Sequence, residues 1–179
     1  MSLMSECNFS IKELGAIAVS AGPGSYTGLR VGMATAKGLC YALGIPLINI
    51  NTLQMMAVAA QTEKENVLCP MMDARRMEVF TAIYDHNLEE KMPPTNLILD
   101  ENSFQSWITL DTMCFFGNGS FKFQKLIDHS NAVFKSIDAS AQHMLPLSYR
   151  KFRNSDFTNL AYAEPFYGKD FHSFVKQSL

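Results

Sequence analysis

The sequence predicts an α/β fold. Two observations carry that expectation: short apolar, β-branched runs alternate with helical patterns over residues 14–61, and several strand-like runs with few helices follow over residues 67–152. A chain of 179 residues, 47% of them hydrophobic, can bury one sizeable core or two small ones.

Residues 14–20 read as a short buried strand. A glycine-rich turn follows, in which Gly22, Gly24 and Gly28 permit tight or positive-φ backbone and Pro23 stiffens the path. Either Thr27 or Ser25 can cap the helix predicted over residues 27–43, which Gly44 ends, with Pro46 just beyond. Residues 46–50 form a second apolar strand. Asn51 or Thr52 caps a Met- and Ala-rich helix over 53–61. Strand, helix, strand, helix implies a parallel pair with a right-handed crossover.

The charged segment 63–66 marks the boundary between two units, 1–62 and 63–179. Residues 67–72 and 77–85 read as strands joined as a hairpin around Asp73, Arg75 and Arg76, with Glu78 beside them; a local ion pair or a turn-stabilising contact is the plain role for these charges. Pro93 and Pro94 separate this hairpin from residues 97–99. Next come a helix near 103–107, a strand over 113–116, a turn at Gly117 to Gly119, a helix over 121–129, a strand over 133–137 and a helix over 144–152. The parallel pair in the first unit cannot stand alone, because its edges and faces remain open. The second unit, another chain, or strands before residue 5 must complete it.

At about 100° per residue, helix 27–43 sorts into three sectors. Gly32, Met33, Ala36, Leu39, Cys40 and Leu43 face a sheet. Arg30, Ala34, Lys37 and Tyr41 form a water-compatible face. Between them runs a stripe of Val31, Thr35, Gly38 and Ala42, small enough for a second helix to approach closely, from the same chain or from another.

Several chemistries are excluded. Fifteen basic against 17 acidic residues leave no nucleic-acid footprint. The basic cluster Arg150, Lys151 and Arg153 reads as a solvated helix end. Four scattered cysteines without a CxxC pair indicate reduced thiols in a cytoplasmic protein. No apolar run reaches the roughly 18 residues of a membrane span; MSLMSECNFS lacks the basic and long apolar segments of a signal peptide, and Met-Ser-Leu ahead of Met4 reads as an expression leader before a native or truncated start. The glycine turn is not a Walker A loop, since Leu29 and Arg30 follow Gly28. As a dinucleotide fingerprint it would need an acid after the next strand, where Asn49, Ile50 and Asn51 stand. Ser25 directly follows Gly24, so it is not a nucleophile elbow. His86, His129, His143 and His172 form no metal-ligand spacing, and Trp107 reads as core. An anion at the turn formed by Gly22, Gly24, Ser25, Thr27 and Gly28 remains an alternative to a plain strand–helix joint.

The motif GPGSYTGLR at residues 22–30 closely resembles the bacterial TsaB (YeaZ) family. AKGL at 36–39, IPL at 45–47, NTL at 51–53, MDARR at 72–76, EVF at 78–80, FGNG at 116–119 and EPFY at 164–167 extend the likeness over nearly the whole chain. The resemblance implies an actin-like ATPase (ASKHA) fold of two RNase H-like lobes, with the first lobe truncated at its amino end: the family's opening IDTS-like strand, two further strands and an HSE-containing helix have no counterpart here. It implies a non-catalytic subunit, not a protease, with no cofactor or metal of its own. Its partners would be the catalytic paralogue TsaD and the ATPase TsaE, which together transfer a threonylcarbamoyl group to tRNA adenosine. On that basis Arg30, Val31, Ala34, Thr35, Lys37, Gly38, Tyr41 and Ala42 are the partner-binding residues, tRNA is met only through the complex, and the isolated chain is a homodimer. The alternative implied by the same turn is an actin-like protein that binds a nucleotide or phosphate.

Overall fold

A computed structural model describes residues 3–61, 65–137 and 139–168. Residues 1–2 of the leader, the proposed boundary at 62/63 and His172 fall outside these residues. The chain is α/β, with a two-stranded parallel sheet and a five-stranded mixed sheet.

A four-residue helix α1 (Leu3–Glu6) and a 3-10 turn at Ile11–Glu13 precede the first strand. Ser10 and Glu13 cap that turn reciprocally. Strand β1 (Ile17–Gly22) starts later than expected, where pairing with β2 begins at Ile17, and runs into the glycine turn. Helix α2 (Tyr26–Leu43) begins one residue early, because Ser25 rather than Thr27 is its cap: Ser25 Oγ accepts from Gly28 N at 3.4 Å. Gly44, at φ +66°, ends it. Strand β2 (Leu47–Asn51) pairs parallel to β1, Ile17 opposite Leu47. Asn51 then caps α3 (Thr52–Ala60), its Oδ1 accepting from Leu53 and Gln54 N at 2.8 and 3.2 Å.

The larger sheet has the order β5-β4-β3-β6-β7. Its strands are β3 (Val67–Asp73), β4 (Glu78–Asp85), β5 (Glu90–Ile98), β6 (Met113–Phe116) and β7 (Ala132–Lys135). The predicted hairpin is β3–β4, antiparallel, whereas β6 and β7 are added parallel to β3. Pro93 and Pro94 do not break the chain; they lie inside β5. This strand is at the sheet edge, and the prolines fall where the β4–β5 register slips between Thr81 opposite Thr95 and Ile83 opposite Met92. An edge strand at a bulge can lack those N–H groups without losing ladder bonds. Pro70 sits in central β3, and Thr81 Oγ1 donates to its carbonyl at 2.9 Å, filling the interrupted ladder.

Two short helices, α4 (Gln105–Ile108) and α5 (Ser120–Phe123), cover one face of this sheet. The helix expected over 121–129 stops at Phe123, because Leu126 and Ile127 are then drawn onto the core by turns. There Phe104, Phe115 and Phe123 meet edge-to-face, with centroids 5.0–5.5 Å apart. Alternate residues of the same strands, Leu68, Ala82, Tyr84, Cys114 and Phe116, face α3 on the other side. Helix α3 also touches the small sheet through Met55 and Val58, beside Ile48 and Ile50. It is the wedge between the two sheets.

The chain then returns to the small sheet. Helix α6 (Leu145–Arg153) packs on β2 through Leu147. Thr158 bridges the outer edge of β2 at Leu47, and Leu160 and Ala163 join Met33, Ala36 and Cys40 over the face carrying Ile17 and Val19. Both faces of the parallel pair are thus covered by its own chain.

Candidate functional site

Two glycine turns position one cleft. The first is residues 22–28. Gly22 lies at φ +111°, and a Cβ there would strike the backbone carbonyl of Phe166. Phe166 N donates to Ala21 O at 2.7 Å, and the Tyr26 and Tyr167 rings lie 5.0 Å apart. Gly22 therefore serves the tail's close approach. Gly24 packs over Leu29, and Gly28 presents its amide to Ser25 Oγ. The second turn is Gly117 to Gly119. Gly117, at φ +89°, has no room for a Cβ beside Met71 O and Met56. This lets the turn press on the end of β3, so that Asn118 Oδ1 accepts from Asp73 N at 2.8 Å.

Between the turns lies an open cleft of about 690 Å³, walled by Gly24, Ser25, Tyr26 and Thr27 on one side and by Asp73, Ala74, Arg75 and Asn118 on the other. Arg75 and Arg76 have positive φ values of 71° and 46°, as a tight turn after β3 requires. Asp73 meets Arg75 through that residue's backbone amide, a turn-stabilising contact. Its carboxylate takes Lys122 Nζ at 2.6 Å and Arg75 N at 2.6 Å, and these contacts hold its pKa below the ordinary carboxylate value, the lysine contributing most. Lys122 also donates to Glu78 O at 3.1 Å. The Glu78 side chain accepts from Asn96 at 3.3 Å. Lys122 carried no sequence signal of its own, being distant in sequence from the groups it touches, and Tyr167 was visible only as the end of EPFY. Asn118 was visible only as the middle of FGNG.

The outer face of α2 is the second candidate. Val31 is 61% exposed and Tyr41 84%; Ala34, Thr35, Gly38 and Ala42 are also exposed. A Cβ on Gly38 meets nothing within 4 Å. Arg30 donates to Tyr26 Oη at 2.9 Å and lies 5.2 Å from that ring's centroid. Lys37 differs from its neighbours: half-buried, it donates to the carbonyls of Ala161 and Ala163 at 3.3 and 3.1 Å, clamping the tail to the helix. Leu39, expected to face the sheet, is instead exposed, and Leu29 lies in the core. The buried face of the helix is Leu29, Met33, Ala36 and Cys40, and the tail residues Leu160 and Ala163 pack with the last three.

Among the described residues, no three or more His, Cys, Asp or Glu are placed to hold a metal ion. No helix there is long and apolar enough to cross a membrane.

The family model for TsaD, tRNA N6-adenosine threonylcarbamoyltransferase, matches residues 1–145. The tRNA threonylcarbamoyladenosine biosynthesis protein TsaB of Escherichia coli is 30% identical over 173 residues, 88% of this chain and 72% of that protein. The chain belongs to the TsaB (YeaZ) family. The match to the TsaD model fits the wider glycoprotease-like superfamily. TsaB of Bacillus subtilis is 29% identical over 79% of the chain, which spans only 63% of that relative's length. The fold is shared with YeaZ from Pseudomonas aeruginosa (TM-score 0.75, 21% identity, 92% of this chain and 79% of that one). A second solved structure, of an uncharacterized protein with similarity to peptidase YeaZ from Pseudomonas aeruginosa, gives a TM-score of 0.79 at 22% identity, over 93% and 79% of the two chains.

Proposed function

We propose that this chain is a non-catalytic subunit in tRNA threonylcarbamoyladenosine biosynthesis, one that supports a homologous TsaD-type catalytic subunit and a TsaE-type ATPase. Its two sheets are the cores of two RNase H-like lobes of actin-like kind, divided at residues 62/63. The catalytic group and the tRNA contact belong to the assembly, in the cytoplasm, and this chain contributes a surface. The observation that carries the reading is the outer face of α2: an 18-residue helix that keeps Val31, Thr35, Gly38, Tyr41 and Ala42 in solvent while its opposite face is buried. Apolar and small side chains exposed together on a rigid helix suit close helix–helix docking, with Arg30 at the rim. Lys37 supports that face by holding the tail.

The test is association of the purified chain with TsaD- and TsaE-type proteins from the same source. Gly38→Leu fits the free protein, since nothing lies within 4 Å of its Cβ position, but it fills the space a docked helix would occupy. Binding should weaken at least about tenfold, roughly 1.4 kcal/mol. Equal binding by the unaltered chain and the variant overturns the reading.

The cleft favours a second reading, a nucleotide or phosphate held between Gly24, Ser25, Thr27 and Arg75. Calorimetry with ADP or ATP separates the two: micromolar binding by the isolated chain would support this one.

A further inference from the structure

A groove of about 470 Å³ lies beside the candidate cleft. The two share one ridge, formed by Asp73 and Asn118. The other walls of the groove are Met77, between β3 and β4, then Phe121 and Lys122 of α5, and Lys125 and Leu126 just beyond that helix. A space of this size is in the range that buries a ligand or the side chains of a peptide.

These walls are apolar, open to water and already fixed in place. Phe121 is 56% exposed and Met77 39%. A single helical turn that buries Ser120 and Phe123 turns Phe121 away from the core. Ser120 Oγ anchors that turn by donating to Gly117 O at 2.7 Å. Met77 O accepts from Leu99 N at 2.7 Å, and Leu126 packs on the core. The charges are not balanced. Lys122 and Asp73 meet at 2.6 Å and offset each other, and Asp73 is the one carboxylate among the described lining residues. Lys125 is exposed and has no acidic partner among the described residues. Arg76, next to Met77 in the chain, is exposed without one as well. The groove thus joins an apolar floor to unoffset positive charge, in a chain whose formal charge is -2.

We propose that this groove docks a short segment of a partner protein in which large apolar side chains stand beside Asp or Glu. The apolar side chains cover Phe121, Met77 and Leu126, which releases water. An adjacent carboxylate meets Lys125, which selects against basic segments. Two free cations are too few for a nucleic-acid backbone, which is met by a row of phosphate contacts. They are also too few for an anionic membrane, which takes a cluster of about 4–8 basic residues. Because the walls are held by the core before anything binds, little ordering cost falls on this side of the contact. The groove includes no residue of α2, so Gly38→Leu should leave this contact unchanged, and it stands or falls separately from the proposed function.

The experiment selects random phage-displayed dodecapeptides on the full chain, with counter-selection on Phe121→Ser. The expected result is enrichment of peptides that place Leu, Phe or Trp beside Asp or Glu. A synthetic copy of the most enriched peptide should bind Lys125→Glu at least about tenfold more weakly, roughly 1.4 kcal/mol, and should weaken as salt rises. No enrichment over the Phe121 variant overturns the proposal. Enrichment of basic or uncharged peptides overturns it, and so does equal binding by Lys125→Glu. Tighter binding of a labelled oligouridylate than of any selected peptide, lost in Lys125→Glu, also overturns it and assigns the cations to nucleic acid. Phe121 and Lys125 are both exposed, so both variants should keep the urea midpoint of the unaltered chain. Should Phe121→Ser fail to fold, selection against Lys125→Glu decides.

Discussion

Replacing Gly22 with Ala tests the account of the glycine turn most directly. At φ +111° an L-residue carries backbone strain of about 1–3 kcal/mol. The added Cβ also drives into the Phe166 carbonyl, and relief of that clash requires the tail to move. Movement forfeits the Phe166 N–H to Ala21 O bond, worth about 0.5–1.5 kcal/mol, and the Tyr26–Tyr167 ring contact, worth a similar amount. Because the strain and the tail contacts are partly alternative losses, the expected cost is about 2–4 kcal/mol rather than their full sum. Two other glycines calibrate it. Gly44 lies at φ +66° with nothing near its Cβ position, so Gly44→Ala should cost about 1–2 kcal/mol from conformation alone. Gly38 is exposed, helical and uncrowded, so Gly38→Ala should stabilise by about 0.5–1 kcal/mol. Urea unfolding orders the three, and chymotryptic cleavage at Tyr162 or Tyr167 should accelerate only in the Gly22 variant. If Gly22→Ala matches Gly44→Ala in both measurements, the carbonyl does not press on Gly22 and the assignment is wrong.

Other consequences arise from the same packing. Cys7 is exposed while Cys40, Cys69 and Cys114 are buried, and burial pushes the Cys69 thiol up to about 12; a native thiol assay should titrate Cys7 rapidly and the other three only on unfolding. Lys122→Met should destabilise by at most about 1 kcal/mol, since the Asp73 side chain is 42% exposed and solvent screens the pair. Asp73 is held below its ordinary pKa chiefly by Lys122, so its contribution is full above about pH 4, the unfolded carboxylate range, and is lost as pH falls through the lower folded value. The two proteins should therefore converge in stability in acid, and divergence there would refute the pairing. Asn51→Ala removes an acceptor from two amides at the start of α3 and should cost about 1 kcal/mol in denaturant unfolding.

The local rules were legible where one strong signal decided an element. Gly44 with Pro46 fixed the end of α2, Asn51 capped α3 as its side chain allows, and the β1–β2 parallel pair followed from the helix between them. The features hidden in the chain were long-range. Pro93 and Pro94 look like a break, yet the register slip that accommodates them belongs to β4 as well as β5. Leu39, expected against the sheet, is left exposed, while the tail, more than 120 residues away, is held on the Lys37 flank of α2. The Asp73–Lys122 contact joins residues 49 apart, and a lysine on a short helix announces nothing by itself.

The same long-range contacts bear on the ligands the cleft can hold. An anion at the start of α2 would need free amides and a cationic wall. Ser25 Oγ already takes the Gly28 amide, and the Phe166 carbonyl lies close against Gly22. The opposite wall offers Arg75 but also the Asp73 carboxylate, whose lowered pKa keeps it charged at neutral pH, and Lys122 is turned to that carboxylate rather than to the space between. A phosphate there would displace bonds already made and meet a fixed negative charge. The outer face of α2 asks for no such exchange: its small and apolar side chains are in water, on a helix held by Leu29, Met33, Ala36 and Cys40 on one side and by the Lys37 clamp on another. Covering that face releases water and breaks nothing, which is the physical reason for placing this chain's contribution on its surface rather than in its cleft.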